Sequence, residues 1–124
     1  MLWDFFCMKL IVKKSKISGL GLFAGEHIGW GKRIIEYTGE KISNKEAARR
    51  LRFNRTIGVT YIFELDKKYS IDGLVGGNES RLINHSSKNP NCTAIRTIGK
   101  IFIVSYDDIK KGEELTFDYG FDPK

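Results

Sequence analysis

The sequence predicts a mainly β fold with one or two short helices. Three observations carry that expectation. Short runs rich in Val, Ile, Leu, Tyr and Phe recur along the chain, each bounded by glycine or a polar turn. Only one segment has a strong helix start signal, Ser43-Asn44-Lys45-Glu46. At 124 residues the chain reads as one domain, 1–124, large enough to bury a core without metal or disulfide staples.

Taken in order, residues 1–8 read as an N-terminal extension, with Met8 a candidate start. Lys9-Leu10-Ile11-Val12 is a short strand. Ser18-Gly19-Leu20-Gly21 breaks the chain and leads into Leu22-Phe23-Ala24, a second strand. Gly29-Trp30-Gly31 is a turn, Arg33 to Tyr37 a strand, and Thr38-Gly39-Glu40 its end. Ser43 then caps a helix, with Glu46 completing a capping box. Ala47, Ala48, Leu51 and Phe53 form its apolar face, and Lys45, Arg49, Arg50, Arg52 and Arg55 its basic face; Gly58 lies past its end. Tyr61 to Leu65 and Tyr69 to Asp72 are strands joined at Lys67-Lys68, followed by a glycine-rich loop from Gly73 to Ser80. Cys92 to Thr97 and Lys100 to Tyr106 form a hairpin around Ile98-Gly99. After a turn over Asp107 to Gly112, Leu115 to Tyr119 is the last strand.

Composition narrows the function. No apolar run reaches the roughly 20 residues that a membrane-spanning helix needs, and the first residues lack the basic start of a secretory signal. Two isolated cysteines, Cys7 and Cys92, make neither a four-ligand zinc site nor a disulfide framework, and they point to a reducing, intracellular, cytoplasmic setting. The net charge of +6 favours an acidic partner or is simply a solvated basic surface.

Two islands resist a purely structural reading. Arg81-Leu82-Ile83-Asn84-His85-Ser86 sets three hydrogen-bonding side chains beside a Leu-Ile pair. Glu114-Leu115-Thr116-Phe117-Asp118-Tyr119-Gly120 places polar groups within a strand-like run. Polar groups set against apolar surface must find partners, so the islands point to one composite site assembled by long-range packing.

With Gly19-x-Gly21, Tyr61 and Pro90-Asn91-Cys92, these islands resemble the SET-domain protein lysine methyltransferases in order and approximate spacing. The resemblance covers a core of residues 9–121, leaving 122–124 as a short tail. It implies a β-clip of small sheets with a threaded, pseudoknot-like C-terminal active site, a topology rare in proteins. It further implies methyl transfer from S-adenosylmethionine, leaving S-adenosylhomocysteine, to a lysine of a histone or other protein.

On this resemblance Lys16, Gly19, Leu20, Gly21, Arg81, Asn84, His85, Tyr119 and Phe121 hold the cofactor. Tyr61, Phe117 and Tyr119 line the lysine channel, and Tyr119 with Tyr61 is catalytic. His85 is a binding residue, not a general base. Phenylalanine at 117, where a tyrosine limits the family to one methyl, implies di- or trimethylation. Structural roles stay open beside these: a plain turn at Gly19 and Gly21, an exposed Lys16, an ion pair at Arg81, a turn cap at Ser86, and core packing for Tyr61 and Phe117.

The chain departs from the family's common pattern at Ser87, where many relatives carry a cysteine that holds zinc with a cysteine-rich tail; here no metal is expected. The Ser87-Lys88-Asn89-Pro90 loop is one residue longer than the common spacing. Only Phe121-Asp122-Pro123-Lys124 follow Gly120, so Phe121, the substrate or a second subunit in a homodimer must close the channel. The partner is then a protein bearing a lysine, with no membrane and nucleic acid at most indirect; nuclear and host-delivered settings also fit. Two rival functions are a non-catalytic peptide- or nucleic-acid-binding module of the same fold, and a methyltransferase acting on a small-molecule amine.

Overall fold

The computed structural model describes residues 8–57 and 61–118, and for residues 54–57 the backbone alone. The described elements follow the order β1 (Leu10–Lys14), β2 (Leu20–Ala24), β3 (Arg33–Glu36), β4 (Glu40–Ser43), α1 (Asn44–Ile57), β5 (Ile62–Glu64), β6 (Tyr69–Asp72), β7 (Asn84–His85), β8 (Cys92–Thr97), β9 (Lys100–Ser105) and β10 (Thr116–Phe117). A 3-10 turn, Glu79–Leu82, leads into β7. The strands form four small sheets: β1-β2, β3-β9-β8, β4-β6-β5 and β7-β10. The mainly β architecture of small sheets is thus the one expected.

The β8–β9 hairpin is the scaffold. Its register runs from Cys92↔Ser105 to Thr97↔Lys100 with no interruption. Along β9, Ile101 and Ile103 are fully buried while Lys100, Phe102 and Val104 face outward. That period of two is the signature of a strand with one face on a core. Ser105 continues the buried face, where its Oγ donates to the Gly29 carbonyl at 2.6 Å and accepts from Lys32 N at 2.7 Å. A buried hydroxyl satisfied on both sides ties the Gly29-Trp30-Gly31 turn to the scaffold.

Two apolar clusters lie on this scaffold. The larger gathers Leu22, Ile28, Ile83, Ile103, Leu115 and Phe117 among others; the smaller is Tyr37, Leu65, Ile71 and Ile101. Phe63 and Ala94 pack against both. Both islands are therefore anchored by buried residues, Ile83 in the first and Leu115 with Phe117 in the second. Full burial of one such side chain is worth roughly 1.5–3 kcal/mol.

Helix α1 starts as its capping signal requires: Glu46 N donates to Ser43 Oγ at 3.0 Å. The return bond of the box does not form. The Glu46 carboxylate takes Arg49 at 2.7 Å and Arg50 at 2.7 Å instead. The helix face also differs from the sequence pattern. Ala47 is buried, but Ala48, Leu51 and Phe53 are exposed. Arg50, expected on the solvated face, turns toward the β4-β6-β5 sheet and meets Glu40 at 2.8 Å and the buried Asp72 at 2.9 Å. A guanidinium can bridge several carboxylates at once, and here that outweighs apolar docking.

Strand β4 was not expected. It carries one buried residue, Ile42, and is held by its pairing with β6, from Glu40↔Asp72 to Ser43↔Tyr69. The last strand is shorter than expected, covering Thr116–Phe117. Gly58, Tyr119 and Phe121 lie outside the described residues. So does the end of the final stretch, which the threaded topology would involve.

Candidate functional site

Strands β7 and β10 pair in parallel, with Thr116 opposite Asn84 and Phe117 opposite His85. Ser86 N extends the pairing to the Phe117 carbonyl at 3.1 Å. Two residues per strand cannot hold a sheet by themselves. The pair forms because neighbouring anchors bring it together: buried Ile83 on one side, and on the other Leu115, whose N–H donates to the Leu22 carbonyl at 2.8 Å. The two polar islands accordingly meet in one place.

The polar half of the junction is a clamp built from Asn84, Asn91, Glu114 and Ser15. Asn84 Nδ2 donates to Glu114 Oε2 at 2.8 Å and lies 3.1 Å from the Ser18 carbonyl and 3.3 Å from the Leu20 carbonyl. Ser15 Oγ donates to the same carboxylate at 2.8 Å and accepts from Ile17 N at 2.8 Å. Glu114 thereby joins the loop that precedes β2 to the start of β7. Gly19 turns that loop at φ +46°, a backbone that favours glycine. Gly21 leaves room for that carboxylate: a Cβ there would stand 2.4 Å from Glu114 Oε2 and displace it.

Asn91 works on the opposite side of the last strand. Its Nδ2 donates to the Glu114 carbonyl at 2.9 Å, and its Oδ1 accepts from Thr116 N at 2.9 Å. One amide thus satisfies a donor and an acceptor of the same backbone segment.

The apolar half is a cleft of about 750 Å³. Its floor is an aromatic series. Tyr37 and Phe63 have ring centroids 5.0 Å apart, and Phe63 stacks on Phe117 at 5.4 Å. Such pairs are worth about 0.5–1.5 kcal/mol beyond their burial. Tyr61 stands at one wall. Its carbonyl accepts from the Tyr37 hydroxyl at 2.5 Å and from Gly73 N at 2.9 Å. The Arg81 guanidinium lies 5.7 Å from the centre of the Tyr61 ring and donates to the Gly73 carbonyl at 3.3 Å. Gly73 leaves room for this group, since a Cβ would meet the Tyr37 hydroxyl at 2.9 Å. Glu64, Asp118, Arg81 and Arg96 give the rim mixed charge. Cys92 also lines the cleft, but burial pushes its thiol up to about 12, so it is an inert packing residue rather than a nucleophile.

The structure sorts the expected site residues into two groups. Gly19, Leu20, Gly21 and Asn84 come together around Glu114. Tyr61, Phe117 and Arg81 line the cleft, with Arg81 beside Tyr61 and Gly73 rather than beside the glycine loop. His85 sits between the groups, half-exposed, with Nδ1 3.7 Å from Asp118 Oδ1. Lys16 is exposed on the bend after Ser15. Glu40 and Asp72 pair with Arg50 under α1. Sequence reasoning missed Ser15, Tyr37 and Phe63. It quoted Asn91 and Glu114 within motifs without giving them work. An asparagine beside Pro90, and a carboxylate directly before a fully buried leucine, were the available signals.

Comparison with known proteins places the chain in context. The SET domain model matches residues 19–120. An H3 lysine-4-specific histone-lysine N-methyltransferase of Schizosaccharomyces pombe is 45% identical over 113 residues, 86% of this chain and 12% of the relative. The Arabidopsis thaliana histone-lysine N-methyltransferase MEDEA is 37% identical over 120 residues, 94% of this chain and 17% of the relative. The chain therefore spans less than a fifth of these curated relatives. A structure of the Chaetomium thermophilum Polycomb Repressive Complex 2 covers 96% of the chain at 36% identity with a TM-score of 0.82, itself matched over 17% of its length. A ctPRC2 structure in an autoinhibited conformation, bound to S-adenosylmethionine, matches with the same TM-score of 0.82 and 36% identity over 96% of this chain and 16% of that one.

Proposed function

The chain belongs to the SET-domain family, and from that premise we propose that it is an S-adenosylmethionine-dependent protein-lysine N-methyltransferase that di- or trimethylates a histone or another protein. The observation that carries this reading is the β7–β10 pairing, which sets Asn84-His85 against Thr116-Phe117 with a polar clamp on one side and an aromatic cleft on the other. That division suits a reaction with two unlike participants, a polar cofactor and the aliphatic arm of a lysine. Relatives named histone-lysine N-methyltransferases, and a like structure bound to S-adenosylmethionine, support the same choice.

The residues present fit the cofactor. Gly19 turns the loop with no atom near a would-be Cβ, so a ligand can approach the backbone closely. Asn84 offers an amide oxygen suited to a ligand ammonium. Leu20 is exposed beside them and supplies apolar surface. When bound, the cofactor supplies a methyl group activated on a sulfonium. The chain's own residues then position and desolvate. Phe63 and Phe117 form an apolar bed for the lysine methylenes. An aromatic cleft disfavours the charged ammonium and favours the neutral amine that can act as nucleophile. Tyr61 walls the channel, and Tyr119, by its place in the motif, brings a hydroxyl to the transfer path. Phe117 in place of a tyrosine leaves room for further methyl groups. An intracellular, histone-bearing compartment goes with this reading.

The test is direct. Purified protein with S-adenosylmethionine should methylate lysine in a histone or cell-extract mixture, with mass spectrometry locating the sites. Tyr119→Phe should abolish or sharply reduce turnover while the folded circular dichroism spectrum persists. Full activity in that variant removes Tyr119 from its role. Cofactor binding with no protein substrate methylated returns the chain to a binding module.

A further inference from the structure

Resting on the cofactor reading above, we propose that Glu114 is a positioning residue: it fixes which end of the Asn84 amide faces the ligand, and so makes the site selective for ligands bearing an amino group. The argument starts from donor and acceptor inventories. A carboxylate accepts only, as do the two backbone carbonyls beside it. Glu114 Oε2, the Ser18 carbonyl and the Leu20 carbonyl all converge on Asn84 Nδ2. Three acceptors force the amide nitrogen inward, so the amide orientation follows from the network and is not a matter of choice. Asn84 Oδ1 is thereby turned outward, and no described residue donates to it. An outward amide oxygen accepts from an ammonium and repels a carboxylate.

Glu114 is itself held from three directions. Asn91 Nδ2 bonds its carbonyl at 2.9 Å, Ser15 Oγ bonds its carboxylate at 2.8 Å, and it bridges to Phe23 through the backbone. Its side chain crosses Gly21 so closely that a Cβ there would push the carboxylate aside. It touches the loop and Asn84, and it acts on the ligand only through them. The negative charge also offsets part of the positive charge that an ammonium and a sulfonium bring to this corner.

Glu114→Gln tests this at constant size. Its amide offers Asn84 Nδ2 either an uncharged, weaker acceptor or, turned over, a donor against a donor, and both slacken the hold on the Asn84 amide. Calorimetry would compare S-adenosylhomocysteine, which carries the amino acid moiety, with methylthioadenosine, which lacks it. Loss of one charge-assisted hydrogen bond predicts an affinity for S-adenosylhomocysteine lower by about tenfold or more, with methylthioadenosine unchanged within about twofold. Glu114→Asp keeps an acceptor-only end and should preserve the preference for the amino-bearing ligand, even where it lowers the melting temperature. A merely structural role would weaken both ligands alike in either variant, and that result overturns the proposal. So does undiminished S-adenosylhomocysteine binding in folded Glu114→Gln. If the unaltered protein binds neither ligand, the cofactor reading itself fails and takes this inference with it. Unaltered binding with parallel losses in Glu114→Gln sinks the inference alone.

Discussion

The clamp around Glu114 and the seat of helix α1 are both polar, yet they hold the chain in different ways. At the clamp, Asn84 bonds the Glu114 carboxylate and the backbone at Ser18, and Asn91 bonds the backbone at Glu114 and Thr116, so two separate segments of main chain are held. Under α1 a single guanidinium, Arg50, is shared among Glu40, Glu46 and Asp72, while Leu51 and Phe53 stay exposed. The clamp bonds fix main-chain groups, whereas each bond of Arg50 joins one side chain to another and leaves the main chain free of it. The difference teaches that the clamp side is defined through the main chain and the α1 side, which reaches the cleft through Leu51, through side chains alone. Under the proposed function that division is useful, since the cofactor would be constant while substrate sequences vary.

The largest effect that would test this contrast is expected at Asn91. Asn91→Ala strips partners from the Glu114 carbonyl and from the amide of Thr116, a buried residue. Unsatisfied groups of that kind cost 1–3 kcal/mol each, so denaturant unfolding should show a loss of about 3 kcal/mol. A loss under about 0.5 kcal/mol, the range of ordinary surface substitutions, would dissolve the distinction between the two regions.

Next comes Arg50→Met. It should accelerate hydrogen exchange through α1 and leave amides of β7 and β10 as protected as before. Equal acceleration in both places would mean that the two regions unfold as one unit.

Phe117→Tyr acts between them. Stability should change by less than about 1 kcal/mol, since the swap conserves volume in a residue that is nearly but not fully buried. Products should move toward monomethyl-lysine on mass analysis. An unchanged product mixture would remove Phe117 as the size gate.

The smallest effect is on pH. Hydrogen bonds from Arg49, then from Arg50, hold the Glu46 carboxyl down at about 2 against an ordinary 4.5. A carboxyl depressed on folding adds stability that is complete above about 4.5 and is lost as pH falls through about 2. Helicity of α1 should therefore weaken across that acid window, modestly because the group is exposed to solvent. Glu46→Gln should remove that part of the slope. A variant with the same slope would assign the acid sensitivity to other carboxylates.

Much of this molecule was legible residue by residue. Alternation along Lys100–Ser105 marks a strand with one buried face, and β9 has it. Ser43 marked the start of α1, and its hydroxyl caps the helix. Local signals of this kind report local geometry, because neighbours in sequence share the same few dihedral choices. The motif islands carried the family and the meeting of two polar segments in one place, because their residue types are too costly to bury without mutual partners.

What the sequence did not contain is who those partners are. Nothing near Arg50 says that it turns under α1 to Asp72, because the acid lies 22 positions away. Two residues each of β7 and β10 are too few to show a period, so their parallel pairing exists only through the anchors Ile83 and Leu115. Gly21 reads as a turn until Glu114 is seen to cross it. The sequence by itself determined the family, the mainly β architecture and the helix start. Tertiary structure alone decided how the candidate site residues divide between a directional clamp and an aromatic cleft, because long-range packing selects which polar group satisfies which.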